Sequence, residues 1–216
     1  MFPLTRIVIP EILDTLDACH PDALRSRRDL RRLEWFLGGA RWSARTAVEH
    51  RRDAEKGIFE LGAGGGDLCR KLAASMPECT VTGLDFAARP AGLNPAVQWR
   101  SGDFFQTLSG SGGGILAGNL ILHHFSDEAL HTLGGMLAGF RVLLFSEPLR
   151  TSWSLRISRL AHPFVGKVTK HDMPASIRAG FRPGELARLL GLEKSTWRVS
   201  EIPRITGVLR FKAWRA

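Results

Sequence analysis

From residue 57 onward, short apolar runs alternate with stretches in which apolar residues recur every three or four positions. The runs are GIFEL (57–61), TVTGLDF (80–86), VQWRSGD (97–103), GILAGNLIL (114–122) and RVLLFSE (141–147). Each has the length of a strand, and helical DLCRKLAASM and SDEALHTLGGMLAGF follow the first and the fourth. Strands alternating with helices predict a parallel sheet covered on both faces. After helical GELARLLGL (184–192), the runs STWRVSEI and TGVLRFKAW are separated by a few residues including Pro203, the pattern of a closing antiparallel hairpin. The expected fold class is α/β: a doubly wound, Rossmann-like, mostly parallel seven-stranded sheet with an antiparallel C-terminal strand.

Ahead of this region the pattern is helical. In residues 20–39, Pro21 and Asp22 suit a first turn, Leu30, Leu33 and Leu37 recur at helical spacing, and Gly38-Gly39 ends the helix. An N-terminal helical cap over residues 1–52 is therefore expected to precede a domain of residues 53–216.

A chain of 216 residues is long enough for one medium domain with a sizeable core. No apolar stretch approaches the roughly 18 residues that span a bilayer, so no transmembrane segment is expected. Pro10, Glu11 and Asp14 stand where a signal peptide needs an unbroken apolar segment, which predicts a cytoplasmic protein. Cys19, Cys69 and Cys79 are odd in number and lack C-x-x-C spacing, so they read as reduced thiols. The net charge of +9 is uneven: +3 over residues 1–52, −4 over 53–149 and +10 over 150–216. The basic last third fits either a solvated face or an attraction for acidic substrates, nucleic acid or an anionic surface.

Ligands of a doubly wound sheet bind beyond the carboxyl ends of its strands. Four features fall there. Glu60 to Leu68, ELGAGGGDL, follows the first strand and opens a helix, so glycines give a sharp turn where free N–H groups face a ligand. Asp85 closes the second strand, 21 residues beyond Gly64, where a carboxylate accepts both hydroxyls of a ribose. A nicotinamide enzyme shares this much. Asp67 at the place of the last glycine of G-x-G-x-x-G, and Glu60 before the glycines, would repel a pyrophosphate and attract a cationic amino-acid moiety. GDFF (102–105) closes the third strand, with a carboxylate for an exocyclic amine and a ring to pack on a base. NLILHHF (119–125) closes the fourth.

In this order and at these separations, ELGAGGG, GLDF, GDFF and NLILHHFSDEAL resemble the class I S-adenosylmethionine-dependent methyltransferases. The cap ending in LGG and SIRAGFRPGEL (176–186) further resemble bacterial enzymes that methylate quinone- or polyketide-like small molecules. The resemblance implies S-adenosyl-L-methionine as cofactor. Gly62, Ala63 and Gly64 would pass under its methionine part, Glu60 would lie near the amino group, Asp85 and the following Phe86 would hold the ribose side, Asp103 and Phe104 the adenine, and Asn119 and Leu120 the sulfonium side. One departure is visible: Gly112, Gly113 and Gly114 stand where such proteins often carry an acidic residue before strand four.

Methyl transfer from a sulfonium is a direct displacement, so the protein supplies alignment, desolvation and a place for the departing proton. For a hydroxyl acceptor the candidate bases are His123, His124 and His171, with Glu147 as a fourth. No metal is expected, because neighbours on a strand point to opposite faces unless the chain has already turned. Residues 151–172 intersperse Trp153, Leu155, Ile157, Leu160, Phe164 and Val165 with basic residues, the composition of a lid or wall over an acceptor site. The acceptor expected is a small aromatic or lipophilic molecule, methylated at oxygen, with oligomeric state left open. Nucleic acid is the weaker alternative, since Asn119 is followed by Leu-Ile-Leu and not by the Pro-Pro-aromatic turn of base-amino methyltransferases; a non-catalytic binding protein on the same fold is the other.

Overall fold

The computed structural model describes residues 4–17, 19–108, 110 and 112–216. Ser109 and Ser111 of the serine-glycine loop lie outside the described residues. Residues 4–11 form a strap leading into helices α1 (Ile12–Thr15), α2 (Pro21–Leu37), α3 (Gly39–Glu49) and α4 (Arg51–Ala54). There follow β1 (Ile58–Leu61), α5 (Asp67–Ser75), β2 (Val81–Asp85), β3 (Gln98–Ser101), α6 (Phe104–Leu108), β4 (Gly113–Asn119), α7 (Asp127–Gly135) and β5 (Phe140–Pro148). Helices α8 (Ser152–Ala161), α9 (Lys167–Ala179) and α10 (Glu185–Leu189) lead to the hairpin β6 (Trp197–Pro203) and β7 (Val208–Arg215).

The seven strands are ordered β3-β2-β1-β4-β5-β7-β6. Strands β1 to β5 pair in parallel and β7 enters antiparallel beside β5. The order reverses between β1 and β4, which places the ligand crevice at their carboxyl ends. The central runs are apolar at nearly every position because both faces are covered. Phe59, Leu61, Leu116, Leu143 and Phe145 pack on one side with residues of α7 and α10. Ile58, Ile115, Val142 and Leu144 pack on the other with α3 and α5. Ala40, Ala44, Ala47 and Ala54 belong to this second core, so α3 and α4 share the sheet's own packing.

Three local features depart from the sequence reading. The helix over 20–39 ends at Gly38 as expected, left-handed at φ 67° with its N–H donating to the Glu34 carbonyl, but no break follows, because Gly39 starts α3 at once. Gly39 has no room for a side chain, since a Cβ there would stand 2.1 Å from Asn119 Oδ1 and 2.6 Å from Ser146 Oγ. The glycine run before β4 also has a packing cause: a Cβ on Gly114 would lie 1.4 Å from the Asp53 carbonyl oxygen, so α4 seats directly on the strand. Finally, β4 ends at Asn119, and residues 120–122 turn instead of extending the strand.

Candidate functional site

After β1 the chain turns through three left-handed glycines, Gly62 (φ 67°), Gly64 (φ 50°) and Gly66 (φ 75°). The N–H groups of Gly62 and Ala63 both donate to the Leu84 carbonyl, at 2.9 and 3.0 Å, which ties the turn to the end of β2. A Cβ on Gly62 would meet Ile121 at 2.4 Å, whereas one on Gly64 would meet nothing within 4 Å. The turn is thus packed on its inner side and open on the side facing the crevice. Asp85 lies beside it, with Oδ2 accepting from the Gly64 N–H at 2.7 Å and Oδ1 from the Ala87 N–H at 2.8 Å. Each carboxylate oxygen keeps a second lone pair for a ligand hydroxyl.

Glu60 is buried beneath the turn and accepts from the Cys69 N–H at 2.7 Å. Burial pushes its carboxyl up to about 8, only partly opposed by the Cys69 hydrogen bonds. Phe104 is buried in the core, its ring 4.9 Å from that of Phe86 and 5.9 Å from Phe125. The accessible ring beside Asp85 is that of Phe86, which is 66% exposed. Asp103 caps the start of α6 by accepting from the Phe105 N–H at 2.7 Å.

Across the crevice, Asn119 Nδ2 donates to Glu34 Oε2 at 2.9 Å, and Glu34 Oε1 accepts from the Ala40 N–H at 2.7 Å. Leu120 has φ 57°, the one left-handed non-glycine among the described residues. A strained residue of this kind costs about 1–3 kcal/mol and persists where its surroundings hold it. The hold is visible: Leu120 N donates to the Ser146 carbonyl, and Glu147 Oε1 accepts from the N–H groups of Ile121 (3.0 Å) and Leu122 (2.9 Å). Glu147 Oε2 takes the His123 N–H at 3.3 Å and His123 Nδ1 at 2.9 Å. These bonds turn the chain out of β4 into a 3₁₀ turn, Leu122–His124.

That turn brings the two histidines to one side, with ring centroids 4.2 Å apart. His123 is buried between Glu147 and Glu11, whose Oε1 lies 3.6 Å from Nε2. Burial works against its charge, but the two carboxylates more than offset this and push it up to about 9. Burial likewise works against the charge on Glu11, yet His123 holds that carboxyl below its ordinary range. His124 is half-buried, with Nδ1 3.4 Å from Asp14 Oδ2. His171, on α9, is exposed and pairs with Asp172, whose carboxylate also accepts from the N–H groups of Ile12 and Leu13.

Glu11, Asp14 and Glu34 are partners that the sequence reading did not place in the site. The strap brings in the first two. Arg6 bonds the carbonyls of Ala179 (2.8 Å) and Phe125 (2.8 Å) and pairs with Asp127, and buried Arg150 bonds the carbonyls of Leu4 and Gly180. The only local signal for Glu11 is a carboxylate inside the apolar run IVIPEIL. In the 151–172 segment, Trp153, Leu160 and Phe164 face solvent, while Val165 is buried. The inward-facing apolar wall read from that composition is thus only partly formed. No helix among the described residues is long and apolar enough to cross a membrane. A cavity of about 670 Å³, lined by Lys56, Gly113, Phe140, Arg141 and Arg215, lies at the amino ends of β4 and β5, away from the glycine turn.

No protein-family model matches the chain, and no curated protein matches it in sequence. Its likeness is to solved structures. The plantazolicin methyltransferase BpumL, in complex with SAH, is 13% identical with a TM-score of 0.69 over 91% of either chain. The magnesium protoporphyrin IX methyltransferase ChlM from Synechocystis PCC 6803, with bound SAH, is 15% identical with a TM-score of 0.59 over 88% of this chain and 86% of that one. A putative O-methyltransferase from Nostoc punctiforme is 14% identical with a TM-score of 0.57, over 82% of this chain and 56% of that one. The chain therefore has the class I methyltransferase fold.

Proposed function

We propose that this protein is an S-adenosylmethionine-dependent methyltransferase acting at oxygen on a small aromatic or lipophilic acceptor. The observation that carries the reading is the pairing, at the switch between β1 and β4, of the open glycine turn with Asp85, whose carboxylate stands 2.7 Å from Gly64 N. A base and a ribose have counterparts around that turn, the exposed Phe86 ring with Asp103 and the Asp85 carboxylate, while Glu60, buried beneath the glycines with its carboxyl pushed up to about 8, supports the turn by accepting from the Cys69 N–H. The fold neighbours crystallised with SAH support the same cofactor for this chain.

When bound, S-adenosylmethionine supplies an electrophilic methyl group. Asp85 would accept the ribose hydroxyls, Gly62 to Gly64 would line the methionine part, Phe86 and Asp103 would border the adenine above buried Phe104, and Asn119 and Leu120 would wall the methyl side. His123, paired on both sides with carboxylates, positions the turn and does not take a proton. His124 and His171 keep solvent access, and His124, four residues beyond Leu120, is the histidine we assign to the acceptor side. Calorimetric titration of S-adenosylmethionine tests the cofactor half: wild type binds, and Asp85→Ala weakens binding about a hundredfold, the cost of about two lost hydrogen bonds. Absence of binding by folded wild type would overturn it. A panel of phenols and carboxylic acids, scored for methyl incorporation, tests the acceptor half.

A further inference from the structure

The turn after β4 builds a cluster that cofactor binding does not need. One ligand atom from each of Glu11, His123 and His124 lies within 4.8 Å of the other two. Glu11 Oε1 and His123 Nε2 are 3.6 Å apart, too far for a hydrogen bond, and close to the edge of a tetrahedron whose centre lies about 2.1 Å from each corner. A carboxylate backs each imidazole at Nδ1: Glu147 on His123 at 2.9 Å and Asp14 on His124 at 3.4 Å. At His123 the Glu147 pair fixes the tautomer and leaves Nε2, which faces Glu11, as the donor toward a metal. The oxygen of Glu11 is held in turn by the Ser176 hydroxyl.

We infer that Glu11, His123 and His124 bind a divalent transition-metal ion of the zinc class. Two imidazole nitrogens and one carboxylate oxygen are the donor set of catalytic zinc, which keeps its fourth position for water or substrate. The ion replaces the charge of the Nε2 proton on the side of His123 that faces Glu11, and that proton leaves to solvent. Resting on the proposed reading, the open position receives the acceptor oxygen and stabilises it as the anion, its proton leaving to solvent. His124 then serves the acceptor site as a ligand and not as the base.

The test uses the full chain, stripped with chelator and without S-adenosylmethionine, so its outcome is separate from that of the cofactor titration. Titration with zinc up to about 100 μM is expected to give one ion per chain, and cobalt to give the strong visible absorption of a four-coordinate histidine site. His124→Ala and Glu11→Gln each weaken binding at least about tenfold, and His131→Ala, on the outer face of α7, leaves it unchanged. If Glu11→Gln does not fold, the cobalt spectrum of His124→Ala decides alone. No binding by wild type, or binding undiminished in the folded variants, overturns the inference.

Discussion

Glu147 presents two opposed roles, proton acceptor or structural cap, and replacing it separates them. The carboxylate is fully buried and accepts from the backbone N–H groups of Ile121, Leu122 and His123 and from His123 Nδ1. Glu147→Ala orphans these donors and leaves the buried His123 charge with Glu11 as its remaining close partner. Each orphaned buried donor costs about 1–3 kcal/mol, and breaking a buried ion pair costs about 3–5 kcal/mol. The losses share one site and do not add, so the expected total is about 5 kcal/mol. At this chain length that lowers the melting temperature by about 10–20 °C. Glu147→Gln keeps one oxygen for Ile121 and Leu122 but turns an amide N–H toward His123, and should lose about half as much. Urea unfolding at pH 7 in chelator, followed by circular dichroism with the slope held equal between variants, measures both. A loss below about 1 kcal/mol in Glu147→Ala, with methyl transfer abolished, would refute the capping argument and restore Glu147 as a base.

Four further outcomes are expected. The Glu60 carboxyl titrates near 8 in the folded chain against 4.5 ordinarily, so its contribution to stability is complete below about pH 4.5 and is lost as pH rises through about 8. Glu60→Gln should flatten the fall in melting temperature between pH 5 and 9, by an amount equivalent to a few kcal/mol; an unchanged profile would place the ionisation elsewhere. Gly114→Ala drives a Cβ into the Asp53 carbonyl and should cost about 3 kcal/mol or abolish soluble expression, as read by thermal melting. Gly135→Ala, at an exposed helical position with open space around it, should stabilise by about 0.5–1 kcal/mol. Phe86→Ala should weaken S-adenosylmethionine in calorimetry while shifting stability by less than about 0.5 kcal/mol, because the ring it removes is largely exposed.

The central strands β1, β2, β4 and β5 were legible in the sequence because burial on both faces writes a nearly unbroken apolar run, and the glycine turn and Asp85 were legible because each closes such a run. The end of β4 was not. Leu120, Ile121 and Leu122 continue the apolar pattern, and what stops the strand is Glu147, 25 residues from Leu122, capturing its N–H groups. Nor did the histidines declare their shared side, since that depends on the same capture. Glu11 and Glu34 lay beyond any local motif: Glu34 meets Asn119 across 85 residues, and Glu11 meets Ser176 across 165. Alternation and spacing describe neighbours along one element, and these partners come from different layers. The glycines 112–114 stood out only as a missing acidic residue, because the backbone of α4, which excludes a side chain at Gly114, leaves no trace in the residues around them.

The strap sets an order of events during synthesis. Glu11 leaves the ribosome long before His123, and Ser176, which orients it, follows 165 residues later. At translation rates of about 5–20 residues per second, that is a wait of roughly 10–30 seconds. Throughout it the apolar residues Ile7, Val8 and Ile9, which stay exposed even in the folded chain, have no seat. The hydrogen bond that holds Glu11 beneath α1 therefore forms only after Ser176 has emerged, when the strands β1 to β5 are already available to pair.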